Sequence, residues 1–394
     1  MNAARLRGLA ERRYDGYLEA LQDMVNVDSG SYTVDGVNAI ADRCAERFEA
    51  GGWKLERTAH VPGEGEPQLG DLLVGRVEGA GRSRTLLIGH MDTVFDPGSA
   101  SERPFRIEGD TAYGPGVSDM KGGLLLGFFA VEALQEAGFA DFGSITYICN
   151  PDEEIGSPFS RTTIQEQARD ADAVLVLEGG RENGDFVSSR KGVTDYRIRI
   201  LGRAAHAGVE PERGRSALLE AAHKTIALQE LNGRWPGVTV NVGVARGGTR
   251  TNVVPERAEL EVDLRAPSEE HLAAAEAEIR SLCGRIAVQD VRVELHENGW
   301  HRPMEKREGT ARLARLAIEV AGDLGFPLRD AATGGASDAN TTAAAGVPTI
   351  DGLGPVGGND HAPGEWIDVT SIVPRMALLA GVISRIDEMA TKRG

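Results

Sequence analysis

The sequence predicts an α/β protein with a largely parallel sheet, into which a smaller αβ domain is inserted. Three observations carry this expectation. Short apolar runs recur at Asp71–Val77, Arg84–Gly89, Ser144–Asn150 and Ala173–Leu177, with the length and composition of buried strands. The run Met120–Ala137 reads as a buried helix lying between two of them. From about Lys191 the pattern changes to a self-contained series of strands and helices roughly a hundred residues long, the size of a small domain.

In chain order, residues 16–50 read as an amphipathic helix, a Ser/Gly/Thr turn at Ser29–Thr33 and a second helix, Val34–Ala50. The four strands and the buried helix follow, and strands alternating with helices indicate a parallel layer. The inserted stretch reads strand Thr194–Leu201, helix Gly214–Leu231, strands Val238–Ala245 and Ala258–Arg265, helix Ser268–Arg285 and strand Val291–Glu297. Helix Thr310–Leu324 and a strand near Pro348–Gly352 resume the first style, so the core is expected from both ends of the chain. The expected boundaries are 1–190 and 303–394 for the core and 191–302 for the insert. Gly247–Gly248, Gly334–Gly335 and Gly357–Gly358 read as loops, because none opens a helix after a strand with phosphate-cradle spacing.

Composition narrows the function. Of 394 residues, 41% are hydrophobic and 26% charged, which suits a globular protein with a substantial core. A formal charge of −17 argues against nucleic acid or an anionic membrane as partner, so carboxylate recognition must rest on local positive charge. The N-terminal residues are charged and lack an apolar signal core, and no apolar run is long enough to span a bilayer; the expectation is a cytoplasmic protein. Cys44, Cys149 and Cys283 are few and far apart, as buried free thiols in a reducing compartment are. That excludes a thiolate zinc site and leaves His and carboxylates to hold any metal.

Such residues fall at strand ends. Leu86–Gly89 runs into His90-Met91-Asp92, Ser144–Asn150 into Pro151-Asp152-Glu153-Glu154, and Ala173–Leu177 into Glu178. Asp119 precedes the buried helix, and Asn359-Asp360-His361 sits in a Gly- and Pro-rich loop. Ligands of open α/β sheets gather at the carboxyl ends of strands. Each residue alone has a plain structural reading: Asp119 as a helix cap, Glu178 as the start of a loop, the Glu153-Glu154 pair as solvated surface. Gathered together, the carboxylates repel one another unless a divalent cation sits among them. Two His and three carboxylates make five ligands, enough for two metals sharing one bridge.

The segments Gly89–Val94, Gly114–Gly123 and Asp152–Ser157 resemble the signatures of the co-catalytic zinc family of glutamate carboxypeptidases, aminoacylases, acetylornithine deacetylase and succinyl-diaminopimelate desuccinylase. The resemblance spans nearly the whole chain. Trp300–Met304 and Thr333–Asn340 lean it toward the bacterial folate-cleaving glutamate carboxypeptidases. It implies a zinc-exopeptidase-like sheet flanked by helices, with an inserted ferredoxin-like α+β lid and dimerisation domain. By the same resemblance, two Zn2+ per subunit are held, one by His90, Asp119 and Glu178, the other by Asp119, Glu154 and His361, with Asp119 bridging. Co2+ or Mn2+ suits the same ligands. Asp92 would accept the second ring N–H of His90, and Glu153 would be the general base. His206 matches a lid histidine that reaches the partner subunit's site, and Asn252 and Arg265 match positions that grip a substrate carboxylate. Read alone, Arg265 pairs equally well with Asp263 or Glu261. His60, His223, His271 and His296 lack acidic company with ligand spacing, and His301 is left open.

The implied activity is removal of a C-terminal amino acid, glutamate or a similar residue, from a small peptide or N-acyl amino acid by a homodimer joined through the insert. The nearest alternative is an N-acyl amino acid deacylase of the acetylornithine or succinyl-diaminopimelate type. A non-catalytic binding protein would need a broken site, and no ligand position is missing.

Overall fold

The strand Arg84–His90 is the hub of the larger sheet in the computed structural model, which describes residues 1–390. Its neighbours Ser144–Asn150 and Ala173–Val176 both run parallel to it, with His90 opposite Asn150 and Ile88 opposite Val176. Parallel strands here are buried along their lengths: every residue of Ser144–Asn150 and Ala173–Val176 is buried. Such runs are expected where helices cover both faces. Thr349–Ile350 adds a further parallel strand beside Ala173–Val176. On the other side, Leu72–Glu78 pairs antiparallel with Ser144–Asn150, and Lys54–Thr58 pairs antiparallel with Leu72–Glu78. The parallel strands therefore end at one edge, and each reaches an acidic residue or a histidine at its end or within two residues of it.

Lys54–Thr58 has no counterpart in the sequence reading. Its residues are almost all exposed and alternate with charge, so it lacks an apolar run. Arg57 on this edge strand is held by Asp71 at 2.7 Å and Asp42 at 2.6 Å. Helix Gly122–Glu136 is buried on nearly every side. Tyr147 and Tyr17 donate their hydroxyls to its first-turn carbonyls, Leu124 O at 2.6 Å and Gly122 O at 2.7 Å. Phe48, from helix Val34–Ala50, meets Phe128 and Tyr147 edge-on at 4.8 and 5.9 Å. Helix Ile372–Ile383, nearly all buried, packs against Ala3–Glu11, Gly122–Glu136 and Glu308–Leu324. All three cysteines are free and buried. Among the described residues no helix is long and apolar enough to cross a membrane.

The chain divides into two units. The first comprises Met1–Ser189, Lys306–Ala332 and the chain from Ser337 on; the second comprises Arg190–Glu305 and Thr333–Ala336. The second unit has βαββαβ order: strands Gly192–Leu201, Thr239–Gly247, Arg257–Ala266 and Arg292–His301, with helices Ala217–Gln229 and Glu269–Gly284. All pairings are antiparallel, and the sequential strands lie in the order second, third, first, fourth, which is the ferredoxin-like arrangement. Burial alternates along Arg257–Ala266, so one face packs and the other does not. The open face carries a cross-strand row of alternating sign, Arg246, Glu259, Arg199 and Glu294. Both helices begin on a serine cap: Ser216 accepts the Leu219 N–H at 3.1 Å and Ser268 the His271 N–H at 3.3 Å.

Helix Gly122–Glu136 approaches the sheet so closely that a Cβ on Gly123 would stand 1.6 Å from the Leu177 carbonyl oxygen. Only glycine fits there, and the contact lies one residue before Glu178. Gly123→Ala should therefore destabilise the protein by at least about 2 kcal/mol in urea unfolding. Gly322→Ala, in an exposed helix position with nothing within 4 Å, should be neutral or stabilising by up to about 1 kcal/mol.

Candidate metal centre

Seven of the sequence-selected residues come together at the parallel edge of the first unit. His90 ends its strand fully buried, and its Nε2 lies 3.0 Å from Asp119 Oδ1 and 3.8 Å from Glu178 Oε1. The other oxygen of Asp119, Oδ2, lies 3.0 Å from His361 Nε2, which is also 3.2 Å from Glu154 Oε2. The Asp119 carboxylate thus stands between two histidines, one oxygen facing each. His361 takes a left-handed backbone conformation, φ +64°, in its loop. Such a conformation costs free energy in a non-glycine residue and points to a functional constraint.

The role expected for Asp92 is modified. His90 Nδ1 is 2.9 Å from the Asp92 backbone carbonyl and 3.4 Å from its carboxylate. That carboxylate is engaged elsewhere: it accepts from Ser31 Oγ at 2.7 Å, the Glu153 N–H at 3.1 Å and the Glu154 N–H at 3.2 Å. Asp92 therefore fixes the turn Glu153–Ile155 as well as the ring. Two buried acids to which the sequence reading gave no role hold the segments on either side of that turn. Asp152 accepts the Phe159 N–H at 2.6 Å, and Asp338 accepts Ser157 Oγ at 2.6 Å and Asn150 Nδ2 at 2.8 Å. Asp338 opens helix Asp338–Ala344, just after Gly334–Gly335, which read as a loop.

The electrostatics follow from crowding. Burial, then the charge of Asp119, pushes the Glu178 carboxyl up to about 8. Burial and the charge of Glu178 push Glu153 well above the ordinary carboxylate range. Hydrogen bonds to Asp119 and Glu154 push the His361 ring up to about 10. Burial works against the charged form of Asp119, but hydrogen bonds from His361 and His90 outweigh it and hold that carboxyl below its usual range. The cluster requires positive charge, and without a cation it retains protons.

A divalent ion fits this donor set. Ligating atoms of His90, Asp119 and Glu154 lie within 4.8 Å of one another, as do those of His90, Glu153 and Glu178. Glu154 Oε1 is buried with no hydrogen-bond partner, an acceptor left unspent. Imidazole and carboxylate donors suit zinc, cobalt or manganese. A cavity of about 370 Å3, lined in part by Gly180, Arg181, Asn359 and Asp360, borders the loops that carry Glu178 and His361.

The remaining candidates belong to the second unit. His206 is exposed, and its Nδ1 accepts the Gly208 N–H at 3.1 Å. Its segment runs beside that of Asn252: the Ala207 N–H donates to Asn252 O and the Val254 N–H to Ala205 O, each at 2.9 Å. Arg265 pairs with Asp263, its Nε 3.1 Å from both carboxylate oxygens, and its Nη1 donates to Gly334 O at 2.8 Å. His60, outside the cluster, has a structural role: its Nδ1 accepts the Leu69 N–H at 3.2 Å and its ring meets Phe159 edge-on.

The profile of peptidase family M20/M25/M40 matches residues 86–385. Carboxypeptidase G2 of Pseudomonas sp. (strain RS-16) is 32% identical over 372 residues, covering 93% of this chain and 88% of that protein. Succinyl-diaminopimelate desuccinylase of Xanthomonas oryzae pv. oryzae (strain MAFF 311018) is 29% identical over 330 residues, covering 78% and 85%. Among solved structures, aminopeptidase PepT from Bacillus cereus ATCC 10987 shares the fold at TM-score 0.79 and 23% identity, over 95% of this chain and 99% of that one. So does the M20 family metallo-carboxypeptidase Sso-CP2 from Sulfolobus solfataricus, at 0.73 and 18%, over 94% and 99%.

Metal and protons compete for these groups. At pH 7 a Glu178 carboxyl near 8 and a His361 ring near 10 are mostly protonated in the metal-free protein. A ligand must lose its proton to bind, so zinc addition should release protons and apparent affinity should rise with pH from 6 to 9. Calorimetry in two buffers of different ionisation enthalpy measures the release; none released would contradict the raised affinity of Glu178 and His361 for protons.

Proposed function

The chain belongs to peptidase family M20/M25/M40, and on that premise we propose that this metal-dependent hydrolase is a carboxypeptidase. It would cleave the amide bond of a C-terminal amino acid, glutamate foremost, in a small peptide or N-acyl amino acid. The observation that carries the reading is the Asp119 carboxylate, with an oxygen 3.0 Å from each of two histidines among further carboxylates. The preference for carboxypeptidase over deacylase rests on the greater identity and coverage of carboxypeptidase G2.

In this proposal two zinc ions would be held, one by His90, Asp119 and Glu178 and the other by Asp119, Glu154 and His361. When bound, they supply Lewis-acid charge for deprotonating water and stabilising an oxyanion. Glu153 takes the proton of the attacking water on its carboxylate and returns it to the leaving amine. Burial and the charge of Glu178 raise the affinity of Glu153 for that proton, the direction a base needs in order to accept it. Asp92, through the Glu153 and Glu154 amides, keeps that carboxylate beside the cluster. Arg265, its guanidinium plane set by Asp263 and Gly334, and Asn252 grip the substrate's free carboxylate. His206 donates to the oxyanion from the partner subunit of a homodimer.

A second reading, N-acyl amino acid deacylation, is favoured by the desuccinylase relative and by N-acetyl-L-citrulline deacetylase, 29% identical over 206 residues. Relative kcat/KM on N-acyl-glutamates, dipeptides ending in glutamate, N-acetylornithine and N-succinyl-diaminopimelate separates the two. Glutamate-releasing substrates should lead by at least about tenfold; fast acetylornithine cleavage without peptidase activity reverses the assignment. Glu153→Ala should keep its metal content while losing roughly 100-fold or more in kcat. Retained turnover would remove Glu153 as the base.

A further inference from the structure

Glu365 lies outside every residue assigned above, yet it is 1% exposed and its carboxylate accepts three backbone N–H groups. Oε2 accepts from Gly116 at 2.9 Å, and Oε1 accepts from Ser118 at 2.7 Å and Asp119 at 2.9 Å. The fold explains the meeting. Strand Trp366–Asp368 pairs antiparallel with Thr111–Tyr113, with Trp366 opposite Tyr113. The residue just before Trp366 therefore faces the segment that leaves Tyr113, which is the loop leading to Asp119.

That loop is irregular. Gly114 and Gly116 take φ +152° and +74°, and Asp119 and Met120 depart from helical geometry just before Gly122–Glu136 begins. No regular ladder holds its amides, and Glu365 stands in for one. The same residue is anchored to the other ligand loop: its N–H donates to Ala362 O at 3.1 Å, and the Ala362 N–H to Asn359 O at 3.0 Å, bracketing His361. One buried side chain thus joins the segment bearing Asp119 to the segment bearing His361.

We infer that Glu365 is a positioning residue that sets Asp119 between the two histidines, and so builds the metal site on its His361 side. The inference rests on the proposed role of Asp119 and His361 as metal ligands. Acceptor count matters as well as shape. A carboxylate gives two acceptor oxygens to three N–H donors, whereas an amide at this position turns an NH2 group toward one of them and leaves that N–H unpaired.

The test uses the full chain, stripped and reloaded with Zn2+ or Co2+. Chelator competition counts tightly held equivalents, and the visible spectrum of the Co2+ form reports ligand geometry. Wild type should hold two equivalents. Glu365→Gln should lose tenfold or more in affinity for one of them and shift the Co2+ spectrum, and Glu365→Asp, one methylene shorter, should fall between. The control is Asp28→Asn, which disturbs a comparable clasp, at 2.8 and 2.7 Å, on the amides of Gly98 and Ala100, neither of which is in a segment bearing a proposed ligand. It should lower the metal-free melting temperature while leaving both equivalents and the spectrum unchanged. Wild-type affinity and spectrum in both Glu365 variants, or an equal loss in Asp28→Asn, overturns the inference alone. A wild type that holds no metal overturns the underlying site assignment and the inference with it.

Discussion

Mutual repulsion among carboxylates at one edge of a parallel sheet is the constraint that organises this protein. Asp92, Asp119, Glu153, Glu154 and Glu178 share a partly buried space, where like charges at a few ångströms cost far more than they do in water. The surrounding structure offsets that cost in two ways. Backbone amides are turned onto the acids, as with Asp92 beneath the Glu153–Glu154 turn and Glu365 behind Asp119. Histidines are then interposed, so that Asp119 is flanked on both sides. The close approach of helix Gly122–Glu136 to Leu177, permitted by Gly123, belongs to the same arrangement because it fixes the strand end from which Glu178 projects.

The second unit solves a different problem. Its two helices cover one face of an antiparallel sheet, and its other face stays wet by carrying ions of alternating sign. In the row Arg246, Glu259, Arg199 and Glu294, Arg199 and Glu259 approach to 3.3 Å. Exposed pairs of this kind contribute little to stability, typically under about 1 kcal/mol each. Their effect is on register, since a one-residue slip would bring the apolar face into water. The buried Glu220–Lys224 pair at 2.7 Å, with Glu220 also accepting the Ala287 and Val288 N–H groups, ties a helix to the loop entering the last strand.

What could be read from the sequence depended on whether a residue's partner was local. The parallel strands and the buried helix are continuous apolar runs, and they end where the polar residues begin; this made His90, Asp119, Glu178 and the Glu153-Glu154 pair visible together. The family resemblance then arranged them around Asp119. Lys54–Thr58 was invisible because an exposed edge strand shows no apolar run, and Asp338–Ala344 because seven residues rich in Asn and Thr show no helical apolar period. Glu365 and the amide contacts of Asp92 were invisible for another reason. Their partners are backbone groups, which carry no side-chain signature, and in the case of Glu365 they lie more than two hundred residues away. Arg265 shows the converse case: the resemblance implied a substrate carboxylate, while the carboxylate it meets in its own unit is Asp263, one of the two partners offered by the residue read alone.

That long reach across the chain bears on how the protein is made. Glu365 stands 246 residues beyond Asp119. A ribosome adding roughly 5–20 residues per second delivers it about 10–50 s later. Throughout that interval the nascent polypeptide carries the acidic strand ends without the clasp behind Asp119 and without His361. Completion of the candidate metal site therefore comes late in synthesis, and an elongation stall before residue 361 leaves a chain whose sheet is largely synthesised but whose cluster lacks its second histidine.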